Sequence, residues 1–510
     1  MSSLIPIIDL FAGPGGLGEG FSALGQQEGS PYFKIHLSVE KEVSAHKTLK
    51  LRSFFRQFPY GQAPEEYYAL LRGDLSSVEE LYNKYPKQAE SARQEARLFV
   101  LGESKKEDAK LDGWIKKALK GHEKWVLIGG PPCQAYSVIG RARNAGQDGY
   151  KPEDDLRNFL YLEYLRIIAK HKPAVFVMEN VKGLLSSRIN GRRVFDNVIS
   201  DLREPSPGCF YKIHSLSVKQ SEENDFHLEP RDYIVEAERY GLPQARHRVI
   251  LLGVREDLSL NEPEILQPCK KISLSDVLAD LPKLRSGLSK EPDSTEAWVR
   301  LIKDGLERKW FADVRKRWGQ ELSDTLEEVM NGVSGFKNER GRPFIPVAAK
   351  SKIKLDWWYR DPRLGGVCNH ETRGHMSKDI WRYLFASCFT KEQGFAPRLY
   401  DFPSDLMPDH KNAKSGHFDD RFRVQLADHP STTITSHISK DGHYFIHPDP
   451  FQCRSLTVRE AARLQTFPDN YFFCGNKTQQ YVQVGNAVPP LLANKIAKIV
   501  KGVLGKVNDG

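Results

Sequence analysis

The sequence predicts an α/β protein, with a doubly wound core over residues 1–254 and a second, smaller lobe over about 255–450. Three observations carry that reading. Short apolar strands alternate with helical patterns through the first half, as a parallel sheet covered on both faces requires. The first strand runs into a glycine-rich turn and then a helix, the layout of a loop that cradles a nucleotide. Beyond residue 254 the alternation gives way to loops, isolated helices such as 295–333, and aromatic residues clustered with basic ones.

Ile5-Pro6-Ile7-Ile8-Asp9-Leu10 reads as a short buried strand, and Phe11-Ala12-Gly13-Pro14-Gly15-Gly16-Leu17-Gly18 as a tight turn into a helix that begins near Glu19. Glycines let the backbone approach a ligand, and the helix N-terminus offers unpaired N–H groups. The pattern differs from the Gly-x-Gly-x-x-Gly of dinucleotide sites. Phe33 to Val39 forms a second strand ending at Glu40, the spacing at which an acid binds ribose hydroxyls. Asp74, in Arg72-Gly73-Asp74-Leu75, is then the candidate to read an adenine amino group. The candidate cofactor residues of this part are Asp9, Phe11, Ala12, Gly13, Gly15, Gly16, Leu17, Glu40 and Asp74. Residues 79–122, rich in Lys, Glu and Ala, read as a charged helical insertion forming a solvated peripheral hairpin.

Trp125-Val126-Leu127-Ile128 reads as a buried strand leading into Gly129-Gly130-Pro131-Pro132-Cys133-Gln134. Each proline fixes φ near −65° and lacks an N–H, so the sheet cannot continue and Cys133 is aimed out of it. A lone cysteine after a strand is usually inert packing, but a second strand, Ala174 to Met178, ends in Glu179-Asn180-Val181 and sets a carboxylate at the matching edge. Asn180 is suited to tie down the proline turn. Arg246 and Arg248 stand at alternate positions of an extended segment and so share a face, although alone they would also suit a solvated surface. Arg248 to Val254 is a late strand, and Gly485 to Leu504 returns to a helical pattern.

A chain of 510 residues is too long for one core. With 40% hydrophobic and 28% charged residues it is an ordinary soluble globular protein, and a net charge of +9 favours a polyanionic partner. Seven cysteines without a Cys-x-x-Cys pair argue against a disulfide framework and the common zinc modules, and suit a reducing cytoplasm. Cys368-Asn369-His370 with His375 is the one grouping like metal ligands, at a spacing that matches no standard site, so no metal is expected. No apolar run reaches membrane-spanning length, and no signal peptide precedes Ile5.

Six segments in order resemble the motifs of the DNA (cytosine-5)-methyltransferase family of bacterial and phage type. They are Asp9 to Gly16, Pro131-Pro132-Cys133-Gln134, Glu179-Asn180-Val181, Gln244-Ala245-Arg246-His247-Arg248, Arg454 to Asp469, and Gly485-Asn486-Ala487-Val488. The resemblance covers the first half and the last tenth of the chain and leaves the middle unmatched. It implies a Rossmann-like, S-adenosylmethionine-dependent methyltransferase core over 1–254, a smaller target-recognition lobe over 255–450, and a return to the core over 451–510. It also implies roles. Cys133 is the thiolate that adds to cytosine C6; Glu179, protonated, holds N3 and the exocyclic amine; Arg246 and Arg248 contact the base O2, a phosphate or Glu179. Pro131, Asn486 and Val488 border the cofactor.

The target base must be flipped out of the duplex, and Gln134, Ser137, Arg141 and Arg143, on a glycine-containing stretch from 134 to 149, are the candidates to close over DNA. Candidates for reading sequence are Trp357, Trp358, Tyr359, Arg360, Arg363, Arg373, His375, Lys378, Arg421 and Arg423, although adjacent tryptophans are more often core. Pro430 to Thr435 resembles a family element near the flipped base, and Arg459 and Glu460 are expected to stabilise a hinge between lobes. The expected protein is a cytoplasmic, monomeric, sequence-specific enzyme acting on double-stranded DNA and related to restriction-modification systems, with a cognate endonuclease as functional partner. Methylation of tRNA is the rival within the same chemistry, disfavoured by the large middle region. A catalytically silent DNA-binding regulator is the rival outside it, disfavoured by the intact Cys133, Glu179 and Arg248.

Overall fold

A computed structural model describes residues 4–132, 156–189, 192–219, 228–335, 339–347, 352–408 and 419–505. The chain divides into two compact units. The first comprises Met1–Tyr67, Ser77–Lys270 and Ala487–Gly510, and the second Tyr68–Ser76 and Lys271–Asn486.

The first unit is built on one sheet. In chain order its strands are β1 (Ile5–Leu10), β2 (Phe33–Glu40), β3 (Ala96–Leu98), β4 (Val126–Gly129), β5 (Val175–Val181), β6 (Tyr211–His214), β7 (Ile234–Glu236) and β8 (His247–Arg255). Their order in space is β3-β2-β1-β4-β5-β8-β6, with β7 also paired to β8. The strands from β3 to β5 run parallel, while β8 runs antiparallel to β5, β6 and β7. This order reverses direction between β1 and β4. In an open α/β sheet, ligands bind beyond the carboxyl ends of the strands at such a reversal.

Both faces of the sheet are covered, which is why its strands read as continuous apolar runs. Ile5, Ile7, Ile35, Ile128, Val177 and Ile250 point to one face, where the C-terminal helix Pro490–Leu504 adds Leu492, Ile496 and Val500. Ile8, Leu10, Leu127, Phe176, Met178 and Leu251 point to the other, against Leu111, Ile115, Tyr164 and Ile167. Leu111 and Ile115 belong to the helix Lys105–Leu119, so the segment 79–122 is not a peripheral hairpin. It supplies the edge strand β3 and a covering helix, whose charged residues are the outer half of an amphipathic pattern. Asp112 on this helix accepts from Arg166, Lys170 and His171 of the helix Leu156–His171.

The second unit is mainly helical. Helices Thr295–Asp304, Lys309–Trp318, Gln320–Gly332 and Ser377–Gln393 enclose a core that includes Trp298, Trp310, Leu326, Tyr383 and Phe385. A two-stranded ribbon, Gly341–Pro346 with Gly366–Glu371, lies beside the helix Val458–Leu464. Residues 451–486, grouped by sequence with the return to the core, pack in this unit; the return begins at Ala487. The reason is a buried ionic network. Arg454 donates to both oxygens of Glu460 at 2.7 Å, and Arg463 to Asp469, Asp280 and the Val277 carbonyl. Arg459 donates to the carbonyls of Cys368, Pro468 and Tyr471. Arg459 and Glu460 thus organise the interior of this unit instead of serving the hinge the sequence suggested.

Candidate active site

The loop after β1 is held open by backbone geometry that few residues adopt. Phe11 has φ 58°, Gly13 φ 57° and Gly15 φ 102°, and a positive φ at a residue as bulky as Phe11 is costly strain that the surroundings must impose. The Ala12 N–H donates to the Val39 carbonyl at 3.0 Å. The Gly13 N–H donates to Glu40 Oε2 at 2.8 Å, and the Glu42 N–H to Glu40 Oε1 at 2.7 Å. The Lys41 N–H is a third donor to this carboxylate, and burial raises its pKa against the three N–H groups. A Cβ on Gly16 would lie 2.1 Å from the Val488 carbonyl oxygen, so the C-terminal segment braces the loop at a position that admits no side chain. A Cβ on Gly20 would likewise meet the Pro490 carbonyl at 2.2 Å.

Not every candidate faces this opening. Asp9 is fully buried. Its carboxylate lies under the helix Gly16–Ser22 beside Gly18, with no well-formed hydrogen bond. Burial pushes its pKa up to about 8, with Glu40 and Glu95 raising it further against the opposing charge of Arg56. Leu17 packs into the core with Phe21. Asp74 belongs to the second unit, where its exposed carboxylate pairs with Arg72 at 3.2 Å. The segment that follows the strand beside β2 is Phe99, whose N–H donates to the Glu40 carbonyl at 2.9 Å. Asn486 is exposed at the end of the helix Lys477–Asn486, whereas Val488 is buried.

The turn after β4 is fixed against β5. A Cβ on Gly130 would sit 3.1 Å from Glu179 Oε2, and Asn180 Nδ2 donates to the Pro131 carbonyl at 3.1 Å. Glycine at 130 was the overlooked residue; the signal was the Gly129-Gly130 pair ahead of the prolines. Cys133, Gln134, Ser137, Arg141 and Arg143 lie outside the described residues. The register of β8 on β5 sets Arg248 opposite Val181 and Ile250 opposite Glu179. Arg248 Nε then lies 3.0 Å from Glu179 Oε1, in an ion pair with side-chain exposures of 16% and 14%. Arg246 is buried, and its pKa falls to about 9 because of burial and the like charge of Arg248, with Glu179 opposing both. One carboxylate and two guanidiniums therefore converge beside the proline turn, at the strand ends flanking the switch point.

These residues suit S-adenosylmethionine. Glu40 is a carboxylate with acceptor capacity beyond its three N–H donors, as a ribose diol needs, and the backbone at Gly13 has no atom within 4 Å of a built Cβ, leaving a cradle beside it.

In the second unit the proposed readers are held by other protein groups. Trp358 is buried with Nε1 on the Thr466 carbonyl, and Tyr359 donates to the Arg463 carbonyl, while Trp357 is 56% exposed. Arg360 pairs with Asp280 and Asp356, Arg421 with Asp441, and Arg423 with Asp420. Arg363 lies over the Tyr68 ring. Arg373 stacks on Tyr481 and donates to the Ile438 and Lys440 carbonyls. His375 is buried between Tyr383 and Ser455, and Lys378 is partly exposed. His370 bonds through its two ring nitrogens to Thr457 and the Pro282 carbonyl, and Cys368 donates to the Leu71 carbonyl, so these groups are occupied structurally.

The family model for C-5 cytosine-specific DNA methylases matches residues 100–502. The chain belongs to this family. The methylase is 32% identical over 517 residues to the type II methyltransferase M.Bpa9945I of Bacillus paralicheniformis, covering 98% of this chain and 99% of that one. It is 25% identical to the type II methyltransferase M.DdeI of Desulfomicrobium norvegicum, over 98% and 90% of the two chains. The DNA (cytosine-5-)-methyltransferase M.ApeKI of Aeropyrum pernix is 24% identical, over 76% and 83%. The methylase is thus a DNA (cytosine-5-)-methyltransferase, and its family and fold imply S-adenosylmethionine as methyl donor. Among the described residues no helix is long and apolar enough to cross a membrane.

Proposed function

We propose that the methylase modifies cytosine within one recognition sequence in duplex DNA, as the modification partner of a restriction endonuclease, through a covalent adduct between Cys133 and C6 of a flipped-out base. The observation that carries this reading is the convergence of Glu179, Arg246 and Arg248 on the Gly130-Pro131 turn that leads directly to Cys133.

C5 of cytosine is a weak nucleophile. Thiolate addition at C6 makes C5 enamine-like, so that it can form the bond to the methyl group; removal of the C5 proton by a base then re-forms the C5–C6 double bond and breaks the C6–S bond, releasing the Cys133 thiolate. Glu179 holds N3 and the exocyclic amine as negative charge develops on the ring, and the adjacent guanidiniums stabilise that charge in a site sheltered from water. Phe11, Ala12, Gly13 and Glu40 hold S-adenosylmethionine, which supplies an electrophilic methyl group when bound. The second unit reads the sequence, and Trp357 is its exposed aromatic candidate. Bisulfite sequencing of DNA from cells expressing the chain tests the proposal. A single protected sequence context is the expected outcome; protection scattered over all contexts, or none, overturns it.

A further inference from the structure

The helix Lys309–Trp318 is unusual in how little its charges are compensated. Between Arg308 and Trp318 stand five cations, Arg308, Lys309, Arg315, Lys316 and Arg317, against one carboxylate, Asp313. Trp310 and Val314, four apart, anchor the buried face, which turns the five cations outward, and all five are exposed. Their contacts do not neutralise them. Arg315 donates to the neutral amide of Gln320, Arg317 to the Tyr400 carbonyl, and Arg308 lies over the Trp381 ring. Among the described residues, Lys309 and Lys316 have no carboxylate within ion-pair distance. The lysine-rich helix Lys105–Leu119 instead sets three carboxylates, Glu107, Asp108 and Asp112, among its five lysines, and its Lys110 pairs with Glu107 at 3.4 Å.

A cleft of about 380 Å³ opens at the C-terminal end of this basic face, lined by Asp313, Lys316, Arg317, Trp318, Pro403 and Ser404. Its chemistry selects among anions. A small free anion would meet the charge of Asp313, whereas a polymeric one can engage Lys309, Lys316 and Arg317 together. Those residues span just over two helical turns, or about 12 Å. Trp318 is covered by the Arg317 guanidinium, 5.3 Å from the ring centroid, so it offers no free platform on which an unpaired base could stack.

We propose that the basic face of the helix Lys309–Trp318, with the cleft at its end, binds the phosphate backbone of duplex DNA outside the base-reading site. The proposal rests on the reading of the second unit as the DNA-recognition unit. Such contacts fix position and carry no sequence information. Each phosphate neutralised contributes about 0.9 to the slope of log affinity against log salt.

The test uses the full chain and a fluorescein-labelled random-sequence duplex of about three helical turns, with anisotropy measured across a salt series. Lys309→Gln with Lys316→Gln is expected to flatten the slope by about 1.8. It should also leave the methylated sequence context in plasmid DNA unchanged, while methyl transfer fails at lower salt than in the wild type. Lys116→Gln with Lys117→Gln, on the first unit's helix, is the control and should leave the slope unaltered. An unchanged slope in the first variant, an equal fall in the control, or an equal loss of single-stranded DNA binding overturns the proposal. Loss of sequence context by Lys309→Gln with Lys316→Gln places these residues in base reading and also overturns it. A wild type that binds no duplex contradicts instead the DNA-recognition reading on which the proposal rests.

Discussion

Arginine–carboxylate groups are buried in both units, and they differ in what remains after pairing. In the second unit Arg463 meets Asp469 and Asp280, and Arg454 meets Glu460, through aligned hydrogen bonds, with Arg454 and Arg463 only 1% exposed. In the first unit Arg248 and Glu179 are close but poorly aligned, Glu179 Oε1 and Arg248 Nε lacking a hydrogen bond while both side chains keep some exposure. A sealed network has spent its hydrogen-bonding capacity on folding. Groups with unspent capacity at a strand end can still bind a base. The residue types are the same, and it is on the leftover valence of Glu179 and Arg248 that the proposed chemistry rests.

The largest expected effect comes from breaking the sealed network. Arg463→Met removes the aligned partner of buried Asp469, leaves Asp280 with Arg360 alone, and should lower stability in urea denaturation by about 3–5 kcal/mol. Arg248→Met should cost about 1 kcal/mol or less, since its pair is partly solvated, while slowing methyl transfer steeply. Equal destabilisation by the two variants would erase the distinction. Next, Glu40→Ala should weaken S-adenosylmethionine binding in calorimetric titration by about 1.5–3 kcal/mol, roughly ten- to a hundredfold. An unchanged constant would leave Glu40 as a brace for the Gly13 and Glu42 N–H groups alone. Gly16→Ala forces a methyl group onto the Val488 carbonyl and should destabilise the first unit by about 1–3 kcal/mol.

The effect that is graded by pH concerns Asp9. With a folded pKa of about 8 against about 3.9 unfolded, the folded chain holds a proton that the unfolded chain has lost. Stability from this group therefore falls as pH rises between about 4 and 8 and levels off above. Asp9→Asn should gain on the wild type progressively from pH 5 to 8 in denaturation midpoints. A constant difference would show that Asp9 does not titrate there.

Much of the first unit was legible because its signals are local. Buried strands read as apolar runs, and the turns after β1 and β4 carry glycine and proline at positions the backbone requires. Asp74 follows the helix Glu65–Arg72, and the edge strand β3 is formed by Ala96–Leu98 some twenty residues later in the chain. The helix Lys105–Leu119 misled because its charges hide an apolar stripe at Leu111 and Ile115. The second unit was least legible. Its order depends on Arg454, Arg459 and Arg463 reaching carbonyls and carboxylates far away in sequence, and nothing local distinguishes a buried arginine from a surface one.

Covalent capture on DNA bearing 5-fluorocytosine at the target position tests the central claim most directly, because fluorine at C5 cannot leave as a proton and the adduct persists. In the presence of S-adenosylmethionine the wild type should form a denaturation-resistant complex whose mapped attachment is Cys133, and Cys133→Ala should form none and transfer no methyl group. Attachment at another cysteine, or methylation that persists in Cys133→Ala, would contradict the assignment of chemistry to the strand ends beside Glu179.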